Sequence, residues 1–164
     1  MASTERLDWL RAQLAGRTTE ELVAGELFRP RGAWGDRSMR ARRLVFKHLG
    51  LGGGLHIVER RMGLLNLAVA TPSRLLLFRL RGSWRSITVG DEIAAWRLRG
   101  LRITHERRKV ESSRLAPAAG NTFSTQTHTS RIVVVRIQPP GEEALEIDLA
   151  ASNDATVLLE AVAH

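Results

Sequence analysis

The chain has 164 residues, 43% of them hydrophobic, and a net charge of +8. This length suits one domain with a real core, and the apolar content excludes a wholly disordered chain. There is no Cys, which excludes disulfides, thiolate chemistry and cysteine metal sites.

No stretch approaches the roughly 20 apolar residues of a membrane span. The first residues, MASTERLDWLRAQ, carry charges where a signal peptide needs an apolar run. A soluble, cytoplasmic protein is expected, and the lack of Cys fits a reducing compartment. The cations are 23 Arg and 2 Lys, a bias that a GC-rich coding sequence produces without selection for guanidinium chemistry. Their placement is uneven: residues 1–64 carry net +5, residues 65–110 net +7 and residues 111–164 net −4. Such asymmetry can orient a protein against an anionic partner, or be only a solvated surface.

Residues 4–15 read as a helix, with Leu7, Leu10 and Leu14 on one stripe and Gly16 as its stop. Thr18 and Glu21 have the spacing of a capping box, which predicts a second short helix through about Phe28. Pro30, Gly32 and Gly35 make residues 29–35 a loop. Residues 36–49 read as a basic amphipathic helix. Met39, Ala41, Val45, Phe46 and Leu49 share one side, and Arg37, Arg40, Arg43 and Lys47 the other. A helix of this type can lie on an anionic membrane or track phosphates; equally, its apolar side can pack on the sheet and leave the Arg face solvated. Gly50, Gly52, Gly53 and Gly54 lack the Gly-Lys-Ser/Thr ending of a phosphate loop and read as a flexible connection to the sheet.

From Leu55 the pattern is mostly period two, and residues 55–61 read as the first strand. Residues 64–70 and 75–80 are two apolar runs around Thr71-Pro72-Ser73-Arg74. Pro72 would break a continuous helix and suits a turn, so the pair is read as a hairpin. Gly82-Ser83 turns the chain, residues 85–89 form a strand, and Gly90-Asp91-Glu92 reads as another turn. Trp96 and Leu98 then alternate with Arg97 and Arg99, and after Gly100 the run resumes with Leu101 and Ile103. These apolar-in, cationic-out alternations mark antiparallel strands with one wet face.

Residues 112–130 are rich in Ser, Thr, Ala and Gly and read by default as a mobile loop. Their Thr-rich second half is β-permissive and can instead extend the next strand into a long hairpin arm with residues 101–111. Residues 131–137, with Ile132 to Val135 all β-branched, form the strongest single strand, and Pro139-Pro140-Gly141 turns it. Residues 144–149 place Leu145, Ile147 and Leu149 inward and Glu146 and Asp148 outward. Ser152 caps a last helix with Ala155, Leu158, Leu159 and Val162 as its core stripe.

Seven or eight short antiparallel strands closed by one C-terminal helix resemble the pleckstrin-homology superfold, in particular bacterial PH-like and GRAM-like domains. The resemblance rests on Leu67-Ala68-Val69-Ala70-Thr71, then Pro72-Ser73, then Arg74-Leu75-Leu76-Leu77-Phe78. A looser match is Asp91-Glu92-Ile93, similar to the acid–Ile pair that opens the fifth strand. It covers about two thirds of the chain.

The resemblance implies an α+β fold. A seven- to eight-stranded antiparallel PH-like barrel over residues 55–164 would be closed by the C-terminal helix and preceded by a helical extension over residues 1–54. It does not carry over inositol-phosphate binding, because no spaced basic set surrounds Gly63. Nor does residues 152–163 hold the Trp that eukaryotic members carry in the closing helix.

The five histidines show no metal-ligand spacing, and no Gly-x-Ser-x-Gly elbow is present. No catalytic residue, metal or cofactor is assigned, and a non-enzymatic binding module is expected. Its candidate anion- or partner-binding residues are Arg79, Arg81, Arg85, Arg97, Arg99 and Arg102, with helix 36–49 as a second membrane- or phosphate-facing element. The expected partner is a protein or anionic lipid headgroups, the latter placing the protein against the inner face of the membrane. Nucleic-acid binding is the alternative, weakened by the lack of Tyr and the scarcity of free aromatics. Homo-oligomerisation through a sheet edge or the 112–130 arm is the third reading.

Overall fold

A computed structural model describes residues 3–31, 57–83, 86–118 and 122–163. The basic helix expected over residues 36–49, with Arg37, Arg40, Arg43 and Lys47, lies outside the described residues, as does Arg85. The elements are α1 (Ser3–Leu14), β1 (Ala24–Pro30), α2 (Ile57–Arg61), β2 (Asn66–Ala70), β3 (Arg74–Ser83), β4 (Ser86–Arg97), β5 (Arg102–Ala118), β6 (Thr122–Gln138), β7 (Leu145–Ala150) and α3 (Asn153–Val162). The seven strands form one antiparallel sheet in the order β4-β3-β2-β1-β7-β6-β5.

The expected closure into a barrel does not occur. Among the described residues β4 pairs only with β3 and β5 only with β6, which leaves the sheet two edges there. The chain passes from one to the other through the turn at 98–101, where Leu101 N donates to Leu98 O at 3.0 Å and Gly100 has φ +86°.

The helix expected over 18–28 is instead the turn to β1 and most of β1 itself. Tertiary pairing overrides the local capping signal, because β1 fills the slot between β2 and β7 at the middle of the sheet. Ala24 and Phe28 face the main core, while Gly25 faces Leu10 of α1. The strand expected over 55–61 is replaced by the single-turn helix α2. Val58 in it and Met62 just past its end are buried, and their i, i+4 spacing suits a helical turn, not a strand. Glu59 in the first turn and Arg60 and Arg61 in the last also suit the helix dipole.

The hairpin stands where the sequence places it. Ala70 opposes Leu75, Thr71 N donates to Arg74 O at 2.9 Å, and the Thr71 hydroxyl accepts from Arg74 N at 3.0 Å. All five residues of β2 are buried. Ala68 and Ala70 join the main core under α3, whereas Leu67 and Val69 join a second core with Leu10 and Leu14 of α1, Leu76 and Phe78. A strand covered on both faces reads as a continuous apolar run, and this explains residues 64–70.

The Gly90-Asp91-Glu92 turn is corrected to an irregular stretch inside a continuous β4, where the β3 pairing shifts register around Phe78 and Leu80. Gly90 is required there, since a Cβ would stand 2.8 Å from the Arg79 carbonyl oxygen. The 112–130 loop is also corrected: β5 and β6 continue as a hairpin arm out to Ala118 and Thr122. Asp148, expected outward, is buried at the register position between Arg29 and Val134.

α3 begins as expected, with Ser152 Oγ accepting from Ala155 N at 3.1 Å, and it buries Ala155, Leu158 and Val162. Its start is tied to the rest of the fold by Glu26, a buried carboxylate on β1. Glu26 accepts from Arg6 at 2.7 Å, from Ser152 Oγ at 2.7 Å and from Leu27 N at 2.6 Å. Arg6 also holds Asp154 at 2.8 Å, so one guanidinium joins α1, β1 and α3.

Candidate functional site: an arginine-lined cleft

At one end of the sheet, the β2–β3 turn, the end of β4 and the end of α3 enclose an open cleft of about 730 Å³. Its lining is Glu20, Pro72, Ser73, Arg74, Arg97, Leu98, Arg99 and Ala161. Arg74 and Arg97 are direct cross-strand partners. Leu75 and Trp96, one step further in, face the main core. Alternation therefore puts Arg74 and Arg97 together on the opposite face. Opposed side chains in an antiparallel pair start about 5 Å apart, a repulsive arrangement for two guanidinium groups unless an anion is present.

Glu20 supplies half of that anion. Its carboxylate accepts from Arg74 Nε at 2.7 Å, from Thr71 Oγ1 at 2.6 Å and from Ser73 Oγ at 2.7 Å. The hydrogen bonds from Thr71 and then Ser73 do most to lower its pKa from 4.5 to about 2; desolvation opposes them, and the bond and charge of Arg74 lower it further. Glu20 is thus a fixed anion across the physiological range. It engages Arg74 alone. Arg97 and Arg99 are exposed and have no carboxylate partner among the described residues. Their guanidinium groups present donors suited to the oxygens of a phosphate or carboxylate.

The structure divides the arginines singled out in the sequence. Arg97 and Arg99 meet at the cleft. Arg102 opens β5 opposite Gln138, beyond the 98–101 turn. Arg79 and Arg81 lie toward the other end of β3, with Arg81 some seven residues, or about 23 Å, from Arg74. Arg81 is paired with Asp91, and Arg79 lies beside Gly63. Two residues of the cleft escaped sequence reasoning. Arg74 reads only as the end of the hairpin turn and the head of a strand, and Glu20 lies inside the stretch between Thr18 and Glu21 that reads as a helix start. The opposition of Arg74 and Arg97 follows from the β3–β4 register, which the irregularity at Gly90 shifts, so counting from the Gly82-Ser83 turn does not recover it.

Among the described residues no three His, Asp or Glu side chains are grouped to hold a metal ion, and no helix is long and apolar enough to cross a membrane. No family model, curated protein or solved structure matches the chain.

Proposed function

We propose that this chain is a non-catalytic, PH/GRAM-like binding module that takes an anionic group of its partner, a phosphate or a carboxylate, in the Arg74–Arg97–Arg99 cleft. The observation that carries the reading is the pair of exposed guanidinium groups at Arg97 and Arg99, without a carboxylate partner among the described residues, beside an Arg74 already held by Glu20. The PH-like part is supported by the strand order, two consecutive antiparallel runs, β1 to β4 and β5 to β7, joined through the β1–β7 pair and unpaired between β4 and β5, with one C-terminal amphipathic helix on the core face. On this reading the partner is an acidic protein segment or an anionic lipid headgroup, and the protein works in the cytoplasm or at the inner face of its membrane.

The test is binding at about 50 mM salt, where surface electrostatics are only partly screened. Three probes are compared: inorganic phosphate, an acidic peptide, and vesicles containing phosphatidylglycerol. At least one should bind the wild type, and Arg97→Glu/Arg99→Glu should abolish that binding while leaving the circular dichroism spectrum unchanged. Arg79→Glu/Arg81→Glu, at the other end of β3, should leave it intact. Binding that ignores Arg97 and Arg99, or no binding of any probe, overturns the proposal. A retardation assay with single- and double-stranded nucleic acid separates the nucleic-acid alternative, which predicts a steep salt dependence.

A further inference from the structure

Among the described residues β5 is an edge strand: it ends the strand order and pairs only with β6, along all 17 of its residues. β6 in turn is backed by β7 only from Ile132 to Ile137. Beyond that, residues 109–118 and 122–131 form a two-stranded ribbon with no third strand among the described residues. Such a ribbon is at best marginally stable by itself, and its outer edge presents a long row of main-chain donors and acceptors.

Two copies of β5 can pair edge to edge about a two-fold axis normal to the sheet. That axis keeps each face on its own side, so opposed residues have numbers of equal parity, and each change of register moves the axis by one residue. Complete overlap of the strand sets Arg102 against the partner's Ala118 and puts the axis through Val110. The same register sets Lys109 opposite Glu111 of the partner subunit, twice by symmetry, and Arg107 and Arg108 opposite serines. One step either way places Lys109 against its own copy, or Glu111 against its own copy. Like charges directly opposed are destabilising, so charge and overlap select one register.

We infer that β5 is a homodimer interface, pairing antiparallel with β5 of a second copy about Val110 and joining two seven-stranded sheets into one. The inference does not depend on the arginine cleft, which lies at a different edge of the sheet.

Light scattering after gel filtration of the full chain should give about twice the 18.2 kDa of one copy. Lys109→Glu or Glu111→Lys alone should weaken the dimer roughly tenfold, since each creates two like-charge pairs. The double variant should restore it. Within one chain Lys109 faces Arg131, so Lys109→Glu improves the pair inside the arm, and loss of dimer would come from the interface.

The chain has no Cys of its own, which makes single-cysteine probes clean. Val110→Cys should cross-link to its copy on oxidation, since opposed Cα atoms stand about 4.5–5.5 Å apart, within disulfide range. Thr104→Cys should not, its two copies being about 40 Å apart in this register. A monomer at all concentrations overturns the inference. So does a dimer indifferent to both single reversals, a Thr104→Cys variant that cross-links as readily as Val110→Cys, or a monomer that uses the arm to bind nucleic acid.

Discussion

Arg74 and Arg97 face each other across β3 and β4, and among the described residues only Arg74 has a carboxylate, Glu20, to hold it. The bonds to Glu20 tie the segment before β1 to the β2–β3 turn, so this charge arrangement has a structural role.

Glu20 makes a pH-dependent contribution to stability, and its sign follows from the lowered pKa. The unfolded carboxyl titrates near 4.5 and the folded one near 2, so the contribution is complete above about pH 4.5 and is lost as pH falls toward 2. Glu20→Gln should melt below the wild type at pH 7, and the two melting curves should converge as pH approaches 2. Thermal melts by circular dichroism from pH 2 to pH 7 check this.

Arg6 should be among the costliest charged residues to remove. Arg6→Ala leaves Glu26 buried with its charge uncompensated, at an expected cost of about 3–5 kcal/mol. Adding Glu26→Gln should recover part of that loss, because a neutral amide tolerates burial better than a lone carboxylate. Urea unfolding of the two single variants and the double variant measures both effects.

Two glycines should respond differently to alanine. Gly16 has φ +78° but open space around it, so Gly16→Ala should cost only the left-handed backbone penalty, about 1–2 kcal/mol. Gly90→Ala drives a Cβ to 2.8 Å from the Arg79 carbonyl and 2.9 Å from Arg81 Cγ, and must distort the β3–β4 irregularity. A cost of about 1–3 kcal/mol is expected, with a local change at β4 that Gly16→Ala does not produce. Amide exchange across residues 78–93 distinguishes the two.

Arg61 serves the free edge of β4. Its guanidinium donates to the carbonyls of Ile93 and Glu92, both at 2.7 Å. Arg61→Ala should destabilise the protein by about 1–2 kcal/mol and speed exchange around Ile93. Arg61→Lys should restore little, since one ammonium does not reproduce a planar fork reaching two carbonyls.

Local chemistry alone was enough to specify several parts of this molecule. Leu10 and Leu14 with Gly16 announce α1 and its end; Pro72 and Thr71 announce the hairpin turn; Ser152 announces α3. In each case the deciding interaction lies within about four residues of chain. The remaining features depended on partners far away in sequence. Residues 24–28 carry a helix-like cap before them, yet become the middle strand because β2 and β7 leave a slot with unpaired backbone on both sides. Val58 and Met62 become one helical turn because both reach the same core. Residues 112–118 and 122–130 have no apolar face to announce a strand; the Thr-rich half is only permissive of the hairpin arm, and the pairing of β5 with β6 is what orders it.

The same division holds for the cleft. The abundance of arginine was plain in the sequence, but which arginines meet was set by the β3–β4 register and by Glu20, 54 residues from Arg74. Short-range propensities and turn chemistry are encoded residue by residue. Strand neighbours, register and the pairing of distant charges are properties of the assembled sheet, and these decided where the cationic site lies.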